Sequence, residues 1–350
     1  MPELNEAIKT ALVEYVEAVN EADLRRSPEA LGRIGDETHR YRLERRSRAL
    51  RRRDAPASAA PRRGEIRAHI VRWSATDKEA NVELRMRLVR ACGFGAHAYT
   101  EERIERERIR LVPFGGVWRL DRAEPLGDER SSASLLGAFD EAAAWPVAPS
   151  LPYAPGRSGF AATQGAATLP WSNPYGGTAA RGAPYNRAEA VAYADLWWDA
   201  GNPSYETFEV NCTNYVSQCL FAGGAPMNYT GKREAGWWYQ GLSGGQERWS
   251  YSWAVANSLQ HYLSQPRGSE LRAERVESPA QLAPGDVICY DWDGNGQFRH
   301  NTIVTAMTPE GMPLVNANTV PSRHRYWDYR DSYAWTENTR YRFYHIADFF

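Results

Sequence analysis

The sequence lacks several features that would each indicate a definite class of protein. Lys and Arg (42 residues) balance Asp and Glu (43 residues), so the formal net charge is only −1. A global electrostatic attraction to nucleic acid or to an anionic membrane is therefore not expected. No apolar run is long enough to cross a bilayer, and the N-terminus has no basic segment followed by an apolar one. We expect no nucleic-acid or membrane partner and a cytoplasmic location, unless an export signal has been trimmed from the N-terminus.

Cysteine is scarce, with four residues in the chain: Cys92, Cys212, Cys219 and Cys289. Their spacings match no zinc ligand set such as a CxxC pair, so neither a metal nor another cofactor is expected. On a helix, Cys212 and Cys219 would be two turns and roughly 10 Å apart, which is too far for a disulfide. Free thiols are the better interpretation, and they favour a reducing compartment.

Residues 1–125 predict an α+β accessory domain. Apolar residues recur at helical spacing over 4–19, and they alternate with polar residues within 66–88, as in half-buried strands. Helices followed by a curved antiparallel sheet resemble, in pattern only, an NTF2-like domain. The helical stretch 40–53 is strongly basic. A solvated helix face is favoured there over a contact for phosphate or an acidic partner.

Residues 126–182 are rich in Pro, Gly and Ala and keep neither the helical nor the strand period. Such a segment is either a flexible linker or an extended strap that lies across the next domain. Aromatic residues are scattered through it. They favour the strap, because a pure spacer has no use for large apolar anchors.

The stretch from Asn211 to Gly224 predicts a helix that begins with a cysteine. Asn211 is a good N-cap residue, and two glycines end the stretch. Cys212 would then lie in the first turn, where exposed N–H groups and the helix dipole lower the pKa of a thiol. Cys219 would lie two turns deeper. Cys212 is therefore the candidate nucleophile, although a lone helical cysteine is usually just a small buried residue.

A histidine far along the chain could be the base for this thiol. Residues 282–290 predict a turn that enters a strand, and residues 291–296 predict a second turn. His300 stands near the start of an alternating return strand. A hairpin is the kind of rigid mount that a general base needs. The following strand carries Asn316 and Asn318 on one face, and either amide could orient the histidine ring.

The turn of this hairpin partly matches a calcium-binding loop. Asp291, Asp293, Asn295 and Gly296 have the spacing of the first half of such a loop. The twelfth position would be Thr302, which lacks the bidentate carboxylate of the motif. A tight polar turn is favoured, and no metal is assigned.

Together these motifs carry a family resemblance. The run Asn211–Leu220, the Gly-Asp-Val-Ile sequence at 285–288, His300 and the closing strand 315–319 resemble the bacterial Putative amidase domain. That domain is related to the papain-like, NlpC/P60 and CHAP cysteine hydrolases. The resemblance covers nearly all of 183–350. It implies a papain-like α+β fold, in which a nucleophile-bearing helix packs on an antiparallel sheet that carries the base.

The resemblance also implies the roles of individual residues. It implies Cys212 as the nucleophile and His300 as the base. The third, orienting residue matches Asn318, where the family position is expected to hold a histidine, and Asn316 is the alternative. The backbone N–H of Cys212 is the natural donor to an oxyanion, and Tyr205 is a candidate for a second donor.

These expectations add up to a cysteine-dependent amide or peptide hydrolase that acts through a Cys-His-Asn triad and a thioester acyl-enzyme. The substrate would be a peptide or another amide, with peptidoglycan-derived peptides as the family-level expectation. Acyl transfer to another amine is the same chemistry with a different acceptor. The alternative is a non-catalytic peptide- or glycan-binding module that reuses the hydrolase fold. The oligomeric state is not indicated.

Overall fold

The computed structural model describes residues 6–53, 61–93, 98–127, 129–130, 182–243, 246–266, 268 and 270–350. The predicted linker or strap lies almost entirely outside the described residues. The described chain mixes helices with antiparallel strands, in agreement with the predicted α+β class. Within these ranges, no helix is both long and apolar enough to cross a membrane.

The N-terminal region consists of two long helices followed by long strands. They are α1 (Glu6–Arg25), α2 (Glu37–Arg53), β1 (Pro61–Ala75), β2 (Ala80–Cys92), β3 (Tyr99–Phe114) and β4 (Val117–Leu126), with a 3₁₀ turn at Glu29–Arg33. The apolar side of α1, including Ile8 and Leu12, packs with Val82 and Leu84 of β2 in one core cluster. The helical and alternating periods of the sequence therefore predicted these elements. The likeness to NTF2 stays a prediction.

The C-terminal region alternates short helices and short strands. They are α3 (Arg187–Trp197), α4 (Cys212–Ala222), β5 (Tyr239–Ser243), β6 (Gln246–Trp249), α5 (Tyr251–Ala254), α6 (Ala256–Leu263), β7 (Ala273–Val276), β8 (Val287–Asp291), β9 (His300–Met307), β10 (Pro313–Ala317), β11 (Ser322–Tyr326) and β12 (Arg340–Ile346). Strands β8 and β9 form the predicted hairpin, in which Tyr290 pairs with His300. The helix that begins at Cys212 is confirmed as well.

One antiparallel sheet runs through both regions in the order β1-β2-β3-β11-β10-β9-β8-β12-β7, and β4 pairs with β3. Strands β3 and β11 meet where Ser322 lies opposite Arg103. The N–H of Ile104 also donates to the carbonyl of Pro321 at 2.8 Å. Backbone pairing therefore bridges the predicted boundary between the accessory region and the sheet that carries His300.

Helix α4 is buried on all sides rather than along the single stripe that its sequence predicts. All nine residues from Cys212 to Leu220 are buried. Its polar side chains are paired with tryptophans: Asn214 Oδ1 accepts from Trp253 Nε1 at 2.8 Å, and Ser217 Oγ accepts from Trp237 Nε1 at 3.0 Å. Buried polar atoms that find partners in this way cost little. The helix can therefore lie inside the core despite its polar residues.

The basic helix α2 departs from the predicted solvated face at two positions. Arg46 and Arg53 are buried. Arg46 pairs with Asp23 of α1 at 2.5 Å and with Glu105 of β3 at 3.0 Å. Arg53 lies 3.8 Å from Asp328 of the C-terminal region. The expectation of a solvated face is wrong at Arg46 and Arg53, because their acidic partners come from distant parts of the chain.

Candidate active site

Cys212 is the first residue of α4, and Asn211 is its N-cap. The Asn211 side chain does not cap the helix. Instead, the backbone N–H groups of Asn211 and Cys212 both donate to the hydroxyl oxygen of Thr319, at 3.2 and 3.0 Å. The start of α4 is therefore held by a side chain from the segment that follows β10.

Of the four cysteines, Cys212 is the one whose thiol has a lowered pKa. Burial alone would raise that pKa, but the nearby His300, the Asn301 N–H and the Thr213 hydroxyl outweigh burial and lower it from 9.0 to about 7. Burial raises the pKa of Cys92 to about 12, and it raises the pKa of the other two cysteines well above the usual value. A thiol with a pKa of about 7 is about half ionised at pH 7, whereas an ordinary thiol is almost entirely protonated there.

His300 begins β9 and is fully buried. Its ring packs against Tyr290, Trp292 and Tyr329, with ring centroids 5.4, 5.8 and 5.1 Å away. Neither ring nitrogen has a hydrogen-bond partner among the described residues. The ring is close enough to Cys212 to be the main influence that lowers its pKa, yet no nitrogen meets the sulfur with full hydrogen-bond geometry. Catalytic hydrogen bonds are often this loose before substrate binds.

The two asparagines proposed to orient the ring have other partners. Asn318 Nδ2 donates to the carbonyls of Trp197, Trp198 and Ala200, and its Oδ1 accepts from Asn211 Nδ2 at 2.7 Å. The structure therefore brings Cys212 and His300 together, while Asn318 fixes the end of α3 next to the N-cap.

The alternative orienting residue, Asn316, is also occupied elsewhere. Its Oδ1 accepts from Thr305 Oγ1 and from the backbone N–H of His324, each at 2.8 Å. Its Nδ2 donates to Asp195 of α3 at 2.9 Å. Within the described residues, no hydrogen bond joins either asparagine to His300.

Residues 184–344 match the family model described as Putative amidase domain. The match supports an amidase-like domain over this part of the chain. The chain is also similar to the Uncharacterized protein YhbB of Bacillus subtilis (strain 168), with 53% identity over 164 residues. The aligned stretch covers 47% of this chain and 51% of that protein, so the chain spans about half the length of this relative. The search of solved structures found no match.

Tyr205, the predicted second oxyanion donor, lies in the core of the amidase-like domain. Its ring packs against Tyr239 and Trp253, with centroids 5.0 and 6.1 Å away. Burial raises the pKa of its hydroxyl, and the nearby Cys219 raises it further. Tyr205 therefore lies close to the deeper cysteine of α4, which gives no support to a role beside Cys212.

The hairpin turn of the amidase-like domain is organised by one carboxylate. Asp291 Oδ1 accepts the N–H groups of Asp293, Gly294 and Asn295, and Oδ2 accepts that of Gly296 at 2.7 Å. The described residues contain no cluster of three or more His, Cys, Asp or Glu side chains that could hold a metal ion. The four N–H groups bound by Asp291 make the calcium-like segment a hydrogen-bonded turn that leads the chain into His300.

Sequence reasoning missed three residues around the thiol. Thr319 caps α4, as described above, and Thr213 Oγ1 lies 3.7 Å from the Cys212 sulfur. Asn301 Nδ2 donates to Thr213 Oγ1 at 3.0 Å, which ties the helix to β9 beside the sulfur. Each of the three directly follows a predicted site residue in sequence, namely Cys212, His300 or Asn318. This adjacency was the one sequence signal that could have pointed to them.

The rings of Tyr290, Trp292 and Tyr329 form an aromatic wall around His300. A buried cation, Arg325, contacts this wall. The guanidinium of Arg325 lies 3.8 Å from the ring centroid of Tyr329. Arg325 is itself paired with Asp331 at 2.9 Å and with Glu129 at 2.7 Å. A charged group over an aromatic face holds that ring in one orientation. Tyr329 therefore contacts both the guanidinium of Arg325 and the ring of His300.

Proposed function

We propose that the amidase-like domain is a cysteine-dependent amide hydrolase with a papain-like arrangement of nucleophile and base. The observation that carries the proposal is the junction of α4 and β9, where Asn301, next to His300, donates to Thr213, next to Cys212, at 3.0 Å. Beside it, His300 lowers the pKa of the buried Cys212 thiol to about 7, against the effect of burial. A buried thiol without such a neighbour has a raised pKa and is unreactive, as at Cys219. The match of residues 184–344 to an amidase family supports amide hydrolysis as the reaction.

In the proposed reaction, the Cys212 thiolate attacks an amide carbonyl while His300 carries the proton taken from the thiol. The protonated imidazole gives this proton to the leaving amine, and a thioester acyl-enzyme is formed. Water, activated by the neutral imidazole, then releases the acid and restores the thiol. His300 is held by packing between aromatic rings, so the third polar member of a triad is not needed to fix its plane.

The test is turnover of a library of peptides, simple amides and cell-wall fragments by the full chain. We expect cleavage by the unmodified protein, a covalent acyl adduct on Cys212 in mass spectra, and loss of both in Cys212→Ala. The matched control is Cys219→Ala, which removes a thiol from the same helix and should retain turnover. Equal turnover by Cys212→Ala and the unmodified protein would refute the proposal. Added amines that intercept the adduct would indicate acyl transfer.

A non-catalytic peptide- or glycan-binding module remains the second candidate, favoured by the burial of the site. Cys212 is 2% exposed and His300 is 0% exposed, so the thiol is closed to solvent in this conformation. A binding module would retain library compounds without cleaving them. Its affinity would be the same in Cys212→Ala, whereas an enzyme of this class forms an adduct that the variant cannot form.

A further inference from the structure

The hydroxyl oxygen of Thr319 accepts the backbone hydrogen bond that an oxyanion would be expected to accept. The backbone N–H of Cys212 is the natural oxyanion donor in a thiol hydrolase, because it lies next to the sulfur. Here that N–H donates to Thr319 Oγ1 at 3.0 Å, and the N–H of Asn211 donates to the same oxygen at 3.2 Å. The amide is therefore already engaged at the start of an 11-residue helix.

The same contacts leave the proton of the Thr319 hydroxyl available. A hydroxyl has two acceptor lone pairs and one donor proton. Two N–H groups use the lone pairs of Thr319, and no described residue accepts its proton. Accepting two hydrogen bonds at the positive end of a helix polarises the O–H bond and strengthens it as a donor.

The position of Thr319 is fixed by its neighbour in sequence. Asn318 makes hydrogen bonds to three carbonyl groups at the end of α3 and to the side chain of Asn211. Thr319 is partly exposed, whereas Cys212 and Asn211 are buried. The residue that accepts from the Cys212 N–H is therefore more open to solvent than the thiol itself. His300, the main influence that lowers the pKa of the Cys212 thiol, is fully buried, and both of its nitrogens lack partners among the described residues.

We propose that the Thr319 hydroxyl is the donor that stabilises the oxyanion, with Asn318 as the residue that positions it. This inference rests on the proposed function. As the Cys212 thiolate forms the S–C bond, the π electrons of the carbonyl move to oxygen, and that oxyanion accepts a hydrogen bond from Thr319. When the C=O bond forms again, the C–N bond breaks and the amine leaves with the proton from His300. Thr319 keeps its own proton throughout.

Two reagents separate this role from a purely structural one. Iodoacetamide alkylates the thiolate by displacing iodide and forms no oxyanion, whereas p-nitrophenyl acetate acylates it through a tetrahedral oxyanion. Thr319→Val has nearly the same shape but no hydroxyl. We expect this variant to lose about 10²- to 10³-fold in acylation rate, as when one oxyanion donor is removed. Its alkylation rate and the pH midpoint of alkylation should match those of the unmodified protein.

Thr319→Ser is the matched control, because it keeps the hydroxyl, and its acylation rate should remain within a few-fold. Two results would overturn the inference: unchanged or faster acylation in Thr319→Val, or an equal loss of acylation and alkylation. In the first case the Cys212 amide is the donor, and in the second Thr319 only holds the helix. Failure of the proposed function looks different, since Cys212→Ala and the unmodified protein would then react with the ester at the same rate.

Discussion

At the scale of single residues, position on one helix decides which thiol has a lowered pKa. Cys212 and Cys219 are both almost completely buried on α4. Burial raises the pKa of Cys219 well above the usual value, while His300, the Asn301 N–H and the Thr213 hydroxyl reverse this effect at Cys212. Because burial also strengthens electrostatic interactions, the same dry environment that disfavours a lone thiolate favours a paired one.

The rate of Cys212 alkylation by iodoacetamide should therefore follow a titration with a midpoint near pH 7. Only the thiolate reacts, so the rate rises as pH increases through the thiol pKa and levels off above it. His300→Ala removes the main influence that lowers the pKa and leaves the burial, so its midpoint should move to pH 9 or higher. Cys219→Ala is the control and should keep the original midpoint. An unchanged midpoint in His300→Ala would show that the histidine does not act on the thiol.

At the scale of secondary-structure elements, the site forms where the first residue of α4 meets the first residue of β9. The hairpin turn is closed by Asp291, and Tyr290 pairs with His300 across the strands. The histidine is thus held by a short turn on one side and by aromatic rings on the other. Tyr329 is the ring that comes from outside the hairpin, and its centroid is 5.1 Å from that of His300.

Replacing Tyr329 tests whether packing orients the base. Tyr329→Ala should raise the pH midpoint of Cys212 alkylation, because His300 can then turn away from the sulfur. It should also lower the free energy of unfolding by about 3–5 kcal/mol, the usual cost of deleting a buried aromatic side chain. Tyr329→Phe keeps the ring and should preserve the midpoint, because the hydroxyl has no hydrogen-bond partner among the described residues. An unchanged midpoint in Tyr329→Ala would contradict the packing role.

The secondary-structure elements also show which features of the site sequence patterns can predict and which they cannot. The helix beginning at Cys212 and the hairpin carrying His300 followed from local signals: an N-cap residue, glycine stops, a polar turn and period-two alternation. The partners of Asn318 did not follow, because they are carbonyls at the end of α3 that reach it only through tertiary packing. Thr319 was missed for a related reason, since a threonine that caps a helix far from it in sequence leaves no local pattern.

At the scale of the whole molecule, buried charges join the N-terminal region to the segment that supports the base. Asp331 accepts from both Arg103 of β3 and Arg325 of β11. Arg325 in turn lies over Tyr329, which contacts His300. The backbone pairing of β3 with β11 joins the two regions at the same residue, because Arg103 lies opposite Ser322. The N-terminal region therefore contributes Arg103 as a charge partner of Asp331, which also pairs with the arginine that lies over Tyr329.

Asp331→Asn tests how much these buried charges contribute to the free energy of unfolding. Burial alone would raise the pKa of Asp331, but Arg325 and Arg103 hold it well below the usual 3.8, so the side chain stays charged at neutral pH. Its contribution to stability is present above pH 3.8 and is lost as the pH falls through its lower pKa in the folded state. Neutralising it leaves two buried arginines without their shared partner. The free energy of unfolding should fall by about 3–5 kcal/mol.

Urea denaturation of the full chain at pH 7 measures this loss, and the variant's deficit should shrink as the pH is lowered below the usual pKa of the carboxyl group. Asp121→Asn is a matched control, because its carboxylate is 41% exposed and pairs with the partly exposed Arg110 at 3.3 Å. That change should alter the free energy of unfolding by no more than about 0.5 kcal/mol. If both variants unfold at the same urea concentration as the unmodified protein, the buried charges do not hold the two regions together, and the support of Tyr329 must come from the sheet alone.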